Sequence, residues 1–269
     1  MNAFAQHFAF EFRTGLRNRS LLLLNYLFPL LFYVMMGVLM GGINPGFIET
    51  IVPAMAIFAV LSGAVLALPS PLVEAREAGV FRSYRVNGVP AASILAIPAL
   101  ATAIHVVIAG AIITATARPL FRAPLPVDWA SYALLLLVAA FSCVGLGALI
   151  GVISANSRAV VLWSQLVYLP SMMLSGMMVP LGLLPRGLAR LAMLLPPTYA
   201  MQALQGLAYR QETVLEPYGC VAALLAGGVL AFALAIYLFN WDSRNPTRRH
   251  PALAALALAP YALAMALAW

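Results

Sequence analysis

The sequence contains no lysine, little charge and only two cysteines. All 15 basic residues are arginines, and charged residues make up 9% of the 269 residues. A phosphate-binding P-loop needs a lysine that reaches the phosphates of the nucleotide. The absence of lysine therefore excludes an ATPase site of that kind from this chain. The cysteines, Cys143 and Cys220, lie in apolar runs without metal-ligand spacing, so the sequence predicts no metal site.

Charged residues are absent from long stretches of the chain, namely residues 20–48, 50–73, 86–117, 129–157, 159–185 and 217–241. Each stretch can hold the roughly 20 apolar residues with which a helix crosses a ~30 Å hydrocarbon layer. The whole chain is 64% hydrophobic, and its mean hydropathy is +0.96. Because lipid offers the backbone no hydrogen bonds, and the stretches lack the alternation of barrel strands, they favour helices. The sequence predicts an all-α, polytopic membrane protein.

The predicted architecture is an interfacial helix followed by six spans. Residues 1–19 carry an apolar side chain at every fourth position before a group of arginines, which predicts an amphipathic helix on the membrane surface. A transmembrane domain follows over residues 20–245. Its six spans are predicted at residues 21–40, 50–68, 91–117, 129–153, 159–180 and 218–240. The apolar tail, residues 246–269, is either a seventh span or an interfacial helix, since Pro260 interrupts it.

The distribution of arginine predicts the orientation of these spans. With the N-terminus in the cytoplasm, ten arginines fall on the cytoplasmic side and five on the outer side. Cytoplasmic loops of membrane proteins carry the excess of positive charge. The cytoplasmic arginines are Arg13, Arg17, Arg19, Arg76, Arg82, Arg85, Arg158, Arg244, Arg248 and Arg249. We therefore predict a multi-pass protein of the bacterial inner membrane, in which the basic residues set topology and bind no nucleic acid.

Two parts of the sequence carry motifs that resemble a known family. Residues 74–79 read EAREAG, directly after the second predicted span. Residues 175–180 read SGMMVP and residues 195–200 read LPPTYA, at and after the end of the fifth. Together they resemble the membrane subunits of type-2 ATP-binding-cassette (ABC) exporters, the class that includes daunorubicin-exporter-like permeases. The resemblance covers about residues 1–245 in the order of the spans.

The resemblance implies a cytoplasmic coupling helix within residues 72–90. A short helix with charges of both signs can dock into a groove of a soluble ATPase through charge-paired contacts. The residues expected to couple to the ATPase are Glu74, Arg76, Glu77, Gly79, Arg82 and Arg85. From the residues alone, an ordinary charged loop that only sets topology is an open alternative.

The proline-rich segment 181–217 resembles the outward re-entrant hairpin of the same family. We expect Ser175, Gly176, Pro180 and Pro185 to form an outer gate, with structural closure of the outer face as the alternative. Polar residues inside spans and soft methionine side chains are candidates for the substrate path. These candidates are Asn25, Ser62, Gln165, Ser171 and Met172. Ordinary packing between helices is the competing interpretation for each of them.

The family resemblance implies a permease subunit that is not itself an enzyme and binds no cofactor. Two copies of a cytoplasmic ABC ATPase would hold ATP and Mg²⁺ and drive it. A second permease, identical or paralogous, would complete a dimer in contact with membrane lipids. The cargo is expected to be small and amphipathic or lipid-like: a drug, a lipid or a glycolipid. Multidrug or lipid export and antibiotic resistance are the corresponding roles.

Two other classes of function are alternatives to export by an ABC permease. An ion-coupled secondary transporter usually places acidic or basic residues inside its spans, and the predicted spans contain none. An intramembrane hydrolase needs a nucleophile within reach of a base. The only candidates for such a pair are His105 as the base and Ser62 or Ser175 as the nucleophile. No nucleophile-elbow motif surrounds either serine.

Overall fold

Long helices form over the charge-free stretches of the chain. The computed structural model describes residues 3–242 and 251–268, and within these residues it contains eleven α-helices and no β-strand. Two helical segments joined by a π-turn count as one helix. The helices are α1 (Ala3–Arg17), α2 (Arg19–Ile43), α3 (Gly46–Glu77), α4 (Val80–Val86), α5 (Ala91–Phe121), α6 (Trp129–Ile153), α7 (Ser157–Leu174), α8 (Arg186–Ala192), α9 (Pro196–Ala203), α10 (Pro217–Leu238) and α11 (Ala259–Ala268). The predicted all-α fold is confirmed.

Among the described residues, five helices are long and apolar enough to cross a membrane: α2, α3, α5, α6 and α10. They match five of the six predicted spans. The remaining span, predicted at residues 159–180, corresponds to α7, which ends earlier at Leu174. With 18 residues, α7 is about 27 Å long at about 1.5 Å per residue. Arg158, Ser164 and Gln165 make it more polar than the other five helices.

Helix α3 lies in the centre of the bundle. In its most apolar window, 94% of the residues are buried, and α2, α5, α6 and α9 pack around it. A helix that is apolar on all sides is suited to such a position. Helix α6 approaches it most closely at Gly147, where an added Cβ atom would overlap the carbonyl oxygen of Ala64. Small residues allow close approach of this kind between membrane helices.

Polar side chains and backbone geometry determine where the helices begin. Asp128 accepts hydrogen bonds from two backbone N–H groups in the first turn of α6, at 3.0 and 3.1 Å. Asn156 does the same for α7 with one N–H group at 2.9 Å. Extended Pro90 precedes α5. These caps satisfy donors that have no partner inside the helix.

The predicted coupling helix at residues 72–90 is divided between two helices. Helix α3 continues to Glu77, and α4 begins at Val80. Between them Gly79 has a φ of 78°, a left-handed conformation that ends a helix and favours glycine. The segment is therefore a corner, which we call the α3–α4 corner (residues 74–86), and not one continuous helix as predicted.

The segment predicted to be re-entrant contains three short helical pieces. A 3-10 turn covers Leu181–Leu183, and α8 and α9 follow. All eight residues of α9 are buried, and a π-turn at Leu204–Ala208 extends it towards α10. This segment therefore packs into the bundle rather than extending away from it.

The C-terminal tail is held against the bundle by Tyr261. Its hydroxyl lies 2.7 Å from the hydroxyl of Ser142 in α6, and its carbonyl oxygen accepts a hydrogen bond from the hydroxyl of Tyr199 at 3.0 Å. The apolar helical stretch Ala252–Leu267 is shorter than the five span candidates. Three arginines that follow the sixth predicted span, Arg244, Arg248 and Arg249, are predicted to be cytoplasmic. They lie outside the described residues.

Candidate functional site

Four charged side chains are exposed at the α3–α4 corner. Glu74 and Glu77 lie on the last turns of α3, and Arg82 and Arg85 lie on α4. The turn at Gly79 redirects the chain between the two pairs. The corner thus presents both signs of charge on a short, well-defined surface, as a docking element requires.

Arg76 differs from the other predicted coupling residues because it points into the protein. Its side chain is buried, and its guanidinium donates to the carbonyl oxygen of Val152 at 3.0 Å and to that of Ser154. These carbonyls lie at the C-terminal end of α6, where no partner exists inside the helix. Arg76 therefore joins α3 to α6 and is not available for direct contact with another subunit.

Two polar contacts fasten the α3–α4 corner to the rest of the bundle. The hydroxyl of Ser157, at the start of α7, donates to a carboxylate oxygen of Glu77 at 2.8 Å. Arg82 forms an ion pair with Asp242, beyond the end of α10, at 2.9 Å. A displacement of the corner would consequently act on both α7 and α10.

Aromatic packing strengthens the connection between α4 and α10. The buried ring of Phe81 lies 5.3 Å from the ring of Phe239, and the guanidinium carbon of Arg85 lies 6.0 Å from the centre of the Trp241 ring. Phe239 and Trp241 are themselves in edge contact at 5.1 Å. The apolar side of α4 thus packs against the residues that follow α10.

The last residue of α4 is an exposed valine that the sequence analysis did not single out. Val86 is 86% exposed, the most of any large apolar side chain among the described residues. The only sign of it in the sequence is that an apolar side chain directly follows Arg85 in a segment that carries several charges. Single exposed apolar residues are common on protein surfaces, so Val86 is of interest only because it lies beside the exposed charges of the corner.

Two π-turns face each other in the interior, and they contain the first two predicted substrate-path residues. The turns are Leu23–Leu27 in α2 and Ser62–Ala67 in α3. The hydroxyl of Ser62 donates to the carbonyl oxygen of Leu24 at 2.7 Å. Asn25 is only 2% exposed, and its Oδ1 atom accepts no hydrogen bond from any described residue. Such turns are frequent at functional sites.

The other predicted substrate-path residues lie on α7. Gln165 is exposed, Met172 is half-buried, and Ser171 is buried with a hydroxyl that has no partner among the described residues. No hydrogen bond within that part of the chain joins them to Asn25 or Ser62. The structure therefore divides the predicted path into two groups.

The predicted gate residues lie at the end of the bundle opposite the α3–α4 corner. Ser175 is buried, and Gly176 has a φ of 92°, which ends α7. Pro180 and Pro185 are exposed on either side of a 3-10 turn. The four residues follow one another along the chain, from the end of α7 to the start of α8.

His105 connects helices and forms no nucleophile–base pair with a serine. Its ring nitrogens lie 2.7 Å from the hydroxyl of Tyr26 and 3.2 Å from the carbonyl oxygen of Phe12. Ser62 donates a hydrogen bond to the backbone of α2, and no described residue forms a hydrogen bond with the hydroxyl of Ser175. This arrangement does not meet the geometric requirement of a hydrolase.

Residues 3–209 match the family model described as ABC-2 type transporter. The chain belongs to the ABC-2 type transporter family. The match extends from α1 to the π-turn after α9, so it covers the α3–α4 corner and most of the chain. Among curated proteins, no match to this chain was found. The resemblance to type-2 ABC exporter permeases is confirmed at the level of the family.

As an ABC-2 permease, this chain is a multi-pass membrane component of an ABC exporter and a transport subunit rather than an enzyme. Permeases of this kind generally work with a partner ATPase subunit. For such a protein, the exposed side chains of the α3–α4 corner are the residues of greatest interest, because they are both accessible and attached to two other helices.

Proposed function

We propose that this ABC-2 permease moves a small amphipathic or lipid-like molecule out of the cytoplasm, driven by two copies of a cytoplasmic ATPase that hold ATP and Mg²⁺. The observation that supports this proposal most directly is the α3–α4 corner. It combines exposed charged side chains with an ion pair and a hydrogen bond to other parts of the bundle. The proposal places the N-terminus and this corner on the cytoplasmic side of a bacterial inner membrane. The excess of arginine at that side supports the orientation.

The attachments of the corner supply a path for force from the ATPase. A partner that moves α4 displaces Phe81 against Phe239 and Arg82 against Asp242, so α10 moves with it. The contact between Glu77 and Ser157 transmits the same movement to α7. Packed interfaces shift between discrete arrangements rather than deform continuously. The outer gate residues at the end of α7 then respond to events at the opposite end.

The exposed faces of α2 and α7 support pairing with a second permease, identical or paralogous. Only 28% of the most apolar window of α2 is buried, and α7 exposes Leu162 at 72% and Leu166 at 62%. Gln165 lies exposed between these leucines. A polar side chain facing lipid is unfavourable, so Gln165 fits a protein interface better than a lipid surface.

Coupling is tested by co-purification of the tagged chain with its ATPase in mild detergent. Val86→Asp places a charge at the exposed tip of α4 without altering its internal contacts, and we expect about a tenfold loss of bound ATPase. Val127→Asp is the matched control, because this valine is also exposed but lies in the loop before α6. Repeated recovery of the unsubstituted chain alone from native lipid would instead favour a secondary transporter.

Pairing is tested by cysteine cross-linking in membranes. Gln165→Cys should form a disulfide that links two permease subunits. Val229→Cys, on the exposed face of α10, should not. The native thiols of Cys143 and Cys220 are buried and do not compete. Equal cross-linking at the two positions would contradict the proposed interface.

A further inference from the structure

A cavity of about 400 Å³ lies beneath α1, bounded by α1, α2, α3, α4 and α5. Its volume falls in the range of roughly 300–1,000 Å³ that is typical of small-molecule sites. The walls are largely apolar and include Leu72, Phe81, Ile94 and Pro98. Because α4 forms part of the wall, a molecule bound here touches the α3–α4 corner.

The charge of the lining is opposite to that of the protein as a whole. The chain has 15 arginines and only 8 acidic residues, yet Glu11 and Glu74 line the cavity and no arginine does so among the described residues. The carboxylate of Glu74 makes no ion pair or hydrogen bond within that part of the chain. Glu11 has one nearby partner, Nε2 of His7, at 3.5 Å. An acidic, partly enclosed surface selects a cation.

Burial of Glu11 disfavours the ionised form of its carboxyl group. Removal from water raises the pKa of its carboxyl group, and the neighbouring His7 partly offsets that effect. A bound positive charge would lower the pKa again, because it stabilises the ionised carboxylate. A cation beside Glu11 would thus offset part of the cost of burying the ionised carboxylate.

Polar side chains also lie at the inner end of the cavity. Asn25 lines the cavity from the π-turn of α2 and is 2% exposed, but its Oδ1 atom, which has no donor among the described residues, lies against Gly63 outside the lining. Buried acceptors are nearly always paired in native structures, and each exception needs an explanation. Thr102 and His105 line the same wall, so polar groups converge there within apolar surroundings.

We propose that this cavity binds an organic ammonium that carries an apolar chain. The ammonium donates to the carboxylates of Glu11 and Glu74, and the chain packs against the apolar walls. The rings of Phe81 and Tyr84 add faces on which a cation is favourable. Either a free amphipathic amine or the amine headgroup of a lipid offers this chemistry. Binding is a property of this chain alone, so it is testable apart from export.

The test uses the full chain in phosphatidylcholine nanodiscs, without an ATPase. The probes are a photoreactive dodecylammonium and the corresponding neutral dodecyl alcohol, with labelled residues identified by mass spectrometry. We expect the ammonium to label α1 and α5 around the cavity and to bind more tightly than the alcohol. Glu11→Gln combined with Glu74→Gln should weaken ammonium binding about tenfold and leave the alcohol unaffected. Glu49→Gln, an exposed glutamate away from the cavity, is the matched control.

A second variant guards against loss of folding in the double substitution. Glu11→Gln alone keeps the carboxylate of Glu74, so it should also weaken ammonium binding specifically, by a smaller factor than the double substitution. Each variant is first checked for a monodisperse elution profile. Because the readout is binding, an effect of Glu74 on coupling does not enter it.

Competition identifies the source of the amine. Displacement of the probe by phosphatidylethanolamine in the nanodisc assigns the site to a lipid headgroup, and its absence assigns the site to a free amine. Equal binding of ammonium and alcohol would overturn the proposal. Labelling outside the cavity, or ammonium affinity unchanged by the glutamate substitutions, would overturn it as well.

Discussion

The hydroxyl of Tyr26 lies 2.7 Å from Nδ1 of His105 and so joins α2 to α5. Through Nε2 the same ring contacts the carbonyl oxygen of Phe12 in α1 at 3.2 Å, and it stacks on the Phe12 ring with centroids 4.4 Å apart. Gly15 provides the space, since a Cβ atom there would overlap the imidazole. One side chain therefore holds the N-terminal helix against two membrane helices.

His105→Ala should release α1 from the bundle. The substitution leaves the Tyr26 hydroxyl without its partner, at a cost of about 1–3 kcal/mol, and it removes the stacking on Phe12. We expect faster hydrogen exchange over residues 3–17, with the remaining helices unchanged. His105→Phe keeps the stacking and loses the hydrogen bonds, so its effect should be intermediate. Val161→Ala, at an exposed position, is the control; equal exchange in all three variants would contradict the anchoring role.

Arg76→Ala should destabilise the junction of α3 and α6. Its guanidinium donates hydrogen bonds to the carbonyl oxygens of Val152 and Ser154. Hydrogen bonds from a charged group contribute about 1.5–3 kcal/mol to the free energy of unfolding. Arg76→Lys should recover only part of the loss, because an ammonium lacks the planar fork that reaches both carbonyls. Thermal unfolding in detergent measures the effect. Arg158→Ala, at an exposed arginine, should be close to neutral, and a similar loss there would count against the assignment.

The contrast between Arg76 and its neighbours shows what the sequence could and could not predict. Charge-free stretches predicted five membrane helices well, because hydropathy depends on composition alone. The direction of Arg76 depends on where α6 ends beside α3, which no local pattern records. The π-turns around Asn25 and Ser62, and the cavity that Asn25 lines, likewise arise from packing between distant segments. The sequence therefore indicated individual candidate residues, whereas only the structure shows which of them lie close together.

Gly147→Ala should destabilise the protein much more than Gly187→Ala. A Cβ atom on Gly147 would overlap the backbone of Ala64, and overpacking in a rigid interior costs about 1–3 kcal/mol. At Gly187 in α8 an added Cβ meets nothing within 4 Å, so the substitution should be neutral or gain up to about 1 kcal/mol from helix propensity. The melting temperatures of the two purified variants provide the comparison. Matching melting temperatures would show that α6 can move away from α3.

Asp128 should make the stability of the α6 N-terminus depend on pH in the acid range. Its carboxylate accepts from the backbone N–H of Ser131 at 3.1 Å, from the Ser131 hydroxyl at 2.9 Å and from the backbone N–H of Ala130 at 3.0 Å. The Ser131 backbone bond is the largest cause that lowers the pKa of Asp128 below its ordinary value of 3.8. A lowered pKa means that folding favours the ionised form, so this stabilisation is fully present above the ordinary pKa and is lost as pH falls through the lowered one.

Comparison of Asp128→Ala and Asp128→Asn separates the cap from its charge. Alanine cannot accept the N–H groups, so we expect a lower melting temperature at neutral pH, whereas asparagine is itself a good N-cap and should retain most of the stability. On acidification the unsubstituted protein should lose the part that Asp128 contributes, and the difference between it and Asp128→Ala should shrink. Asp128→Asn carries no titrating group at this position, so its advantage over Asp128→Ala should persist through the same range. If the difference between the unsubstituted protein and Asp128→Ala were instead constant with pH, the ionised carboxylate would not be the capping species.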